Sequence, residues 1–383
     1  MSSRQAGAAG SAKGCEYAFD GKISREVLEN YLSRAITMMR HGNTEDNNRM
    51  LLNIGAKFIG RVAGCWGGES SLPQQLEELK TYTRQMHALD PEMILQACIF
   101  EIISRDLDKL PVPGWVFDAF GLKPEKRNFS YSAMLYPDGQ GKCSWSDDAS
   151  VPDMNQLETR LWFFYAAASY INCGVEGIHF GQVELMDKND PKHAAWWDLL
   201  SHIRSHAAAH ARRHLVLCDA HTPSGGVVMD DGRLLLDFHA HHMCIEAVPN
   251  TPYKGILRKG YATALYGRSR GGITPSGWAC ESLPYLVEID NCGTSGREGQ
   301  DIGYQFIWGY DDICWFAFLP EAERNAWLWY AWQWLKDNDP NGHLQVPGSR
   351  CLASKPHGRD WYHANTRSAA VPDGFDTEEV FKE

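Results

Sequence analysis

Strand-like and helical runs alternate along this chain, and the connections between them are unequal in a consistent direction. The apolar run 57–63 leads into Gly64, Cys65, Trp66 and onward to Glu69, and 72–88 reads as a helix stopped at Asp90-Pro91. Segments 93–100, 131–136, 176–184, 214–221, 233–239, 284–291 and 343–347 supply seven further strand candidates, eight in all. Helical patterns at 24–39, 153–172, 191–212, 276–283 and 321–336 fall between or before them. Helix-to-strand connections are short (173–175, 213, 337–342), whereas strand-to-helix ones are long (102–130, 240–275, 291–320). A closed (β/α)8 TIM barrel has this rhythm, with its long loops gathered at the carboxyl ends of the strands. An open doubly wound sheet alternates in the same way, but neither GxGxxG nor GxxxxGK(S/T) follows any strand here. The Gly/Ala/Ser-rich start makes 1–23 a flexible extension, and 24–383 a single barrel domain with loop insertions.

Composition bounds the function loosely. A net charge of −11 argues against nucleic acid as partner, since a phosphate backbone demands a basic surface. The eleven cysteines have no paired spacing and no CxxC, which favours a reducing compartment over a disulfide framework. No apolar signal core opens the chain and no run of about 18 apolar residues follows, so a cytoplasmic protein with no membrane partner is expected. The oligomeric state is not legible.

The candidate chemistry sits at the strand ends. Glu69, Glu101, Glu184, Asp219 with His221, Asp237 with His239, and Glu288 with Asp290 each fall at or just past the carboxyl end of a strand. In a closed barrel those ends converge on one mouth. Side chains alternate along a strand, so Ile178, Phe180, Gln182 and Glu184 should share one face, and Leu286, Glu288 and Asp290 another. A buried acid there costs several kcal/mol unless paired or used. Apolar neighbours Phe180, Val183, Leu185 and Met186 should favour the protonated form of Glu184.

With acids after the fourth and seventh strands, the pattern resembles the (β/α)8 glycoside hydrolases of the large retaining clan. That resemblance implies an acid/base at Glu184 and a nucleophile at Glu288, with Asp290 the alternate, and no cofactor. Where the clan usually has Asn directly before its acid/base, this chain has Val183, with Gln182 one step earlier. The expected substrate is an oligosaccharide or glycoside. Glu69, Glu101, Trp66, Asp219, His221, Asp237, His239, Asp290 and Trp308 would contact it, and Trp145 and Trp278 also fall in expected strand-to-helix loops. Indole faces stack on sugar rings as on other flat ligands.

Two other readings compete. Asp219, His221, Asp237 and His239 are the ligand types of a metal-dependent hydrolase or isomerase. A sugar-binding barrel without catalysis is the non-enzyme alternative. The series His202, His206, His210, His214 has i, i+4 spacing but no acidic partner, and reads as a solvated or partner-facing stripe.

Overall fold

The computed structural model describes residues 16–382. Eight parallel strands close into a barrel: β1 (Ala35–Met38), β2 (Phe58–Cys65), β3 (Ile94–Ile99), β4 (Gly177–Gln182), β5 (Leu217–His221), β6 (His239–His242), β7 (Tyr285–Glu288) and β8 (Gly342–Cys351). Each pairs with the next, and β8 returns to β1 with Ile36 opposite Val346. A ninth strand, β9 (Trp361–His363), runs antiparallel to the end of β8. The expected TIM barrel is the fold.

Two strand assignments made from the sequence differ, and they compensate. The helix expected over 24–39 breaks at Ser33-Arg34: α1 spans Arg25–Leu32, capped by the Ser24 hydroxyl, and 35–38 begins the barrel. The strand expected over 131–136 is instead a 3₁₀ turn, Tyr131–Met134, tied to the long loop after β3 by the Tyr131 N–H to Asp108 (2.8 Å). One strand gained and one lost leaves 176–184 fourth and 284–291 seventh. The helix expected over 276–283 is also absent, and the described chain runs without any helix from β5 to β7. β6 starts at His239 rather than Arg233, because Arg204 takes the Leu235 carbonyl and Asp237 receives the Cys218 N–H (3.0 Å).

The barrel interior has two chemistries. Its amino-terminal half is apolar: Ala35, Phe58, Ile94, Leu217, Ala240 and Leu286 point inward, and Ile23, Leu28 and Tyr31 cover them from below, with Tyr17 and Phe19 packed alongside. Residues 16–23 of the expected flexible extension therefore belong to the packed body, and 1–15 lie outside the described residues. The outward faces of the strands, including Ile178, Phe180, Val287 and Ile289, pack under the helices. Chief among these helices are α2 (Thr44–Asn53), α3 (Leu72–Leu89), α4 (Leu157–Asn172), α5 (Ala194–His210), α6 (Asp312–Phe318) and α7 (Glu321–Asn338). Among the described residues no helix is long and apolar enough to cross a membrane. The histidine stripe of α5 is partly covered, His202 lying against Phe120 and His206 against Trp115.

Candidate functional site

Above the apolar plug the interior turns polar. Glu288 ends β7 and is 3 % exposed. Arg61 of β2 grips both its oxygens, and Arg350 of β8 donates to Oε2 at 3.1 Å. His221 of β5 lies 2.9 Å from Oε1. Arg61 and Arg350 also reach Asp290. Burial alone would raise the Glu288 pKa; Arg61, the His221 hydrogen bond and Arg350 outweigh it and hold the carboxyl well below the ordinary range. Asp290 is lowered as well, burial and the Glu288 charge being outweighed by Arg61 and Arg350. Arg61 has positive φ (61°), at a point where the β2–β3 register slips, and this turn aims its guanidinium across the barrel.

A second chain of contacts adjoins the first. Asp219 of β5 accepts from Gln96 of β3 (2.6 Å) and lies 2.7 Å from His179 Nδ1 on β4. His179 Nε2 is buried without a partner, and the His179 and His221 rings are 4.8 Å apart. Gln345 Nε2 and Arg350 Nε are further buried groups with no partner. Gly60 makes room for the two glutamines, since a Cβ there would strike Gln345 and crowd Gln96. Buried polar atoms are almost always satisfied, so such a concentration at the strand ends marks where a ligand or water belongs.

Glu101, two residues past β3, receives the Gln182 N–H (2.9 Å) and amide (2.7 Å). Gly181 permits this approach, with φ +56° and no room for a Cβ beside the carboxylate. Glu69 accepts the Ser104 N–H (2.8 Å) and hydroxyl, bracing one loop on another, and burial raises its pKa. Trp66 (54 % exposed) and Trp145 (37 %) meet at 5.0 Å and line a cavity of about 380 Å³ with Gly67, Gly68, Ser104 and Asp148. Trp145 donates to the Glu101 carbonyl at 3.0 Å, connecting this cavity to the end of β3.

Several expected residues stand elsewhere. The inward residue of β4 is His179, while Ile178 and Phe180 face the helices, so the expected polar face was inverted. Glu184 lies past the strand in a 3₁₀ turn, half-exposed, its Oε1 accepting the Ser224 N–H (3.1 Å). The apolar enclosure expected around it does not form, because Val183 and Met186 turn into the helix layer. Asp237 pairs with Arg204 of α5, and His239 with Ser269 (3.0 Å), rather than with Glu288. Neither belongs to any metal-competent group among the described residues, so the expected metal quartet is split. Trp308 is buried, donating to the Lys254 carbonyl, and Trp278 donates to the Ile23 carbonyl beneath the barrel. Neither is a free stacking face. Sequence reasoning missed Arg61, Gln96, His179 and Arg350 as site residues. Gln96 and His179 carried a partial signal, each a polar residue within a largely apolar strand run, whereas Arg61 sits at a register slip and Arg350 in a mixed run, where alternation gives none.

No family model matches the chain, and no curated protein does. Among solved structures it is similar to a debranching enzyme from Nostoc punctiforme, at 8 % identity and TM-score 0.34, over 56 % of this chain and 53 % of that one. The acarbose-soaked form of that enzyme aligns at 10 % identity and TM-score 0.40, over 83 % and 74 %. A GH5_18 from Bifidobacterium longum subsp. infantis aligns at 10 % and 0.26, over 52 % and 44 %. In the first alignment this chain spans about half the length of the debranching enzyme. Likenesses this low carry no reaction, substrate or residue role across.

Proposed function

We propose that the chain is a carbohydrate-active hydrolase, a glycoside hydrolase of the retaining type, acting on an oligosaccharide or glycoside. The observation that carries the reading is Glu288, a carboxylate at the end of β7 held by Arg61, Arg350 and His221 beside the unpartnered Gln345 Nε2 and Arg350 Nε. Its oxygen would bond to the anomeric carbon as the glycosidic bond breaks, while Glu184 gives its proton to the departing oxygen. Water then attacks the same carbon, losing its proton to Glu184 and freeing Glu288. Trp66 and Trp145 offer indole faces for a sugar ring beside Glu101, and Asp219, His221 and Asp290 support the reacting end. The ten described cysteines are free thiols, which fits a reducing compartment.

Two observations favour other readings. His179, His221 and Glu288 offer ligand atoms within 4.8 Å of one another, so a metal-dependent hydrolase would be built on these three. Arg61 and Arg350 beside Glu288 oppose a divalent cation there. The saturation of Glu288 by Arg61, Arg350 and His221 instead favours a sugar-binding barrel without catalysis. One experiment separates all three. A panel of aryl glycosides is assayed with wild type, with chelator, and with Glu288→Ala plus azide. We expect turnover indifferent to chelator, abolished by the substitution, and partly restored by azide with inverted product. Activity lost to chelator and regained with zinc sinks the glycosidase in favour of a metal enzyme. No turnover of any glycoside, with sugars still binding, leaves the non-catalytic barrel.

A further inference from the structure

At the end of β6 lies a second cluster of ligating groups that the proposed hydrolysis does not use. His241, His242 and Cys244 are all buried, and one ligand atom from each falls within a 4.8 Å set. His242 Nε2 is 3.3 Å from Cys244 Sγ, close to the separation of about 3.5 Å that two ligands of a tetrahedral zinc adopt. The other nitrogen, Nδ1, is 3.3 Å from Asp312 Oδ2, and the same carboxylate accepts the Cys244 N–H at 3.2 Å. A carboxylate behind a histidine fixes the ring and leaves the far nitrogen as the ligand. His241 is held in the same manner: Nε2 meets the Thr263 hydroxyl at 2.8 Å, while Nδ1 is buried with no partner. Thr263 also approaches Cys244 Sγ at 3.6 Å. Cys244 holds positive φ (53°), an unfavourable conformation for a side chain with a Cβ, kept here by the Asp312 bonds.

We infer that His241, His242 and Cys244 form a three-ligand zinc site. Two imidazoles and thiolate sulfur suit zinc, and no carboxylate oxygen is in the ligand set to favour magnesium or calcium. The coordinating Cys244 thiol loses its proton to solvent on binding. The ion would fix the end of β6 and, through Asp312, brace it on α6. The His241 ring is 5.6 Å from that of His221, so the clamp would border the Glu288 cluster without sharing its ligands. The inference does not depend on the proposed hydrolysis.

The test uses the full chain, stripped with chelator and reloaded with Zn²⁺ or Co²⁺ alone. We expect about one tightly held equivalent, a higher melting temperature with zinc, and a cobalt spectrum with thiolate charge-transfer absorption and four-coordinate d–d bands. Cys244→Ser and His241→Gln should lose that equivalent. His179→Ala and the combined His202→Ala, His206→Ala and His210→Ala variant should keep it. No uptake by wild type, or a cobalt spectrum without thiolate charge transfer, overturns the site even if the cysteine variant fails to fold. So does metal that survives Cys244→Ser, or that disappears with the α5 histidines or with His179.

Discussion

Two buried glutamates in this barrel are each clasped by two arginines, at opposite ends. Glu176, directly before β4, is fully buried and takes Arg212 at 2.7 Å and Arg213 at 2.7 and 2.8 Å. Those arginines are neighbours in the chain and spend their remaining donors on Tyr31 (2.7 Å) and the Pro91 carbonyl (2.7 Å). Arg213 also lies over Phe19, part of the plug. Glu288 takes its arginines from β2 and β8, a histidine from β5, and has a second acid beside it. Around Glu176 the cations close a wall; around Glu288 they converge on a space where His179, Gln345 and Arg350 keep free donors or acceptors. The same ion triad staples one end and equips the other: Glu176 has one unpartnered neighbour, His87 Nε2, 3.9 Å away, whereas His179, Gln345 and Arg350 all bring unpartnered atoms to the Glu288 end.

The comparison is sharpest in a paired substitution. Glu288→Gln should abolish turnover, whereas Glu176→Gln should keep kcat and cost about 1 to 3 kcal/mol of stability by weakening the bonds of the half-buried Arg213 and the exposed Arg212. Denaturant titration alongside aryl-glycoside kinetics reads both. A Glu176 variant that folds but has no activity would erase the distinction. Next in size, Glu184→Gln should lower kcat for poor leaving groups by about 10² to 10⁴-fold and spare good ones. An equal loss on both would remove Glu184 as the proton donor and turn attention to Glu101.

At the stapled end, His87 is pushed down to about 4 by burial, helped by the nearby Arg212 charge. Its unfolded value is near 6.5, so the unfolded chain binds the proton first. Its contribution is therefore complete above pH 6.5 and lost as pH falls toward 4. His87→Gln should flatten that part of the stability profile while leaving the pH dependence of kcat unchanged; an unchanged stability profile would count against the burial argument. The smallest effect belongs to Trp66→Ala and Trp145→Ala, each expected to weaken substrate by ~1 kcal/mol, about fivefold in KM, with kcat held. A change in kcat alone would place the indoles at the reacting bond instead.

Alternation and loop asymmetry were enough to read the barrel, because strand and helix periods are local properties of the chain. They also placed Glu288, since one short strand with a carboxylate at its end needs no partner to be recognised. Other features lay beyond local pattern. Arg61 reaches Glu288 only through a register slip in β2, and His179 is inward only because Ile178 and Phe180 have a helix layer to cover them. Glu184 left the strand, and Asp237 and His239 turned toward Arg204 and Ser269, for the same kind of reason. Period-2 reasoning gives two faces but not which one is inside. That choice, and the meeting of residues 61, 221, 288 and 350 in one cluster, was made by barrel closure, which brings distant strand ends together and leaves buried charges to find partners.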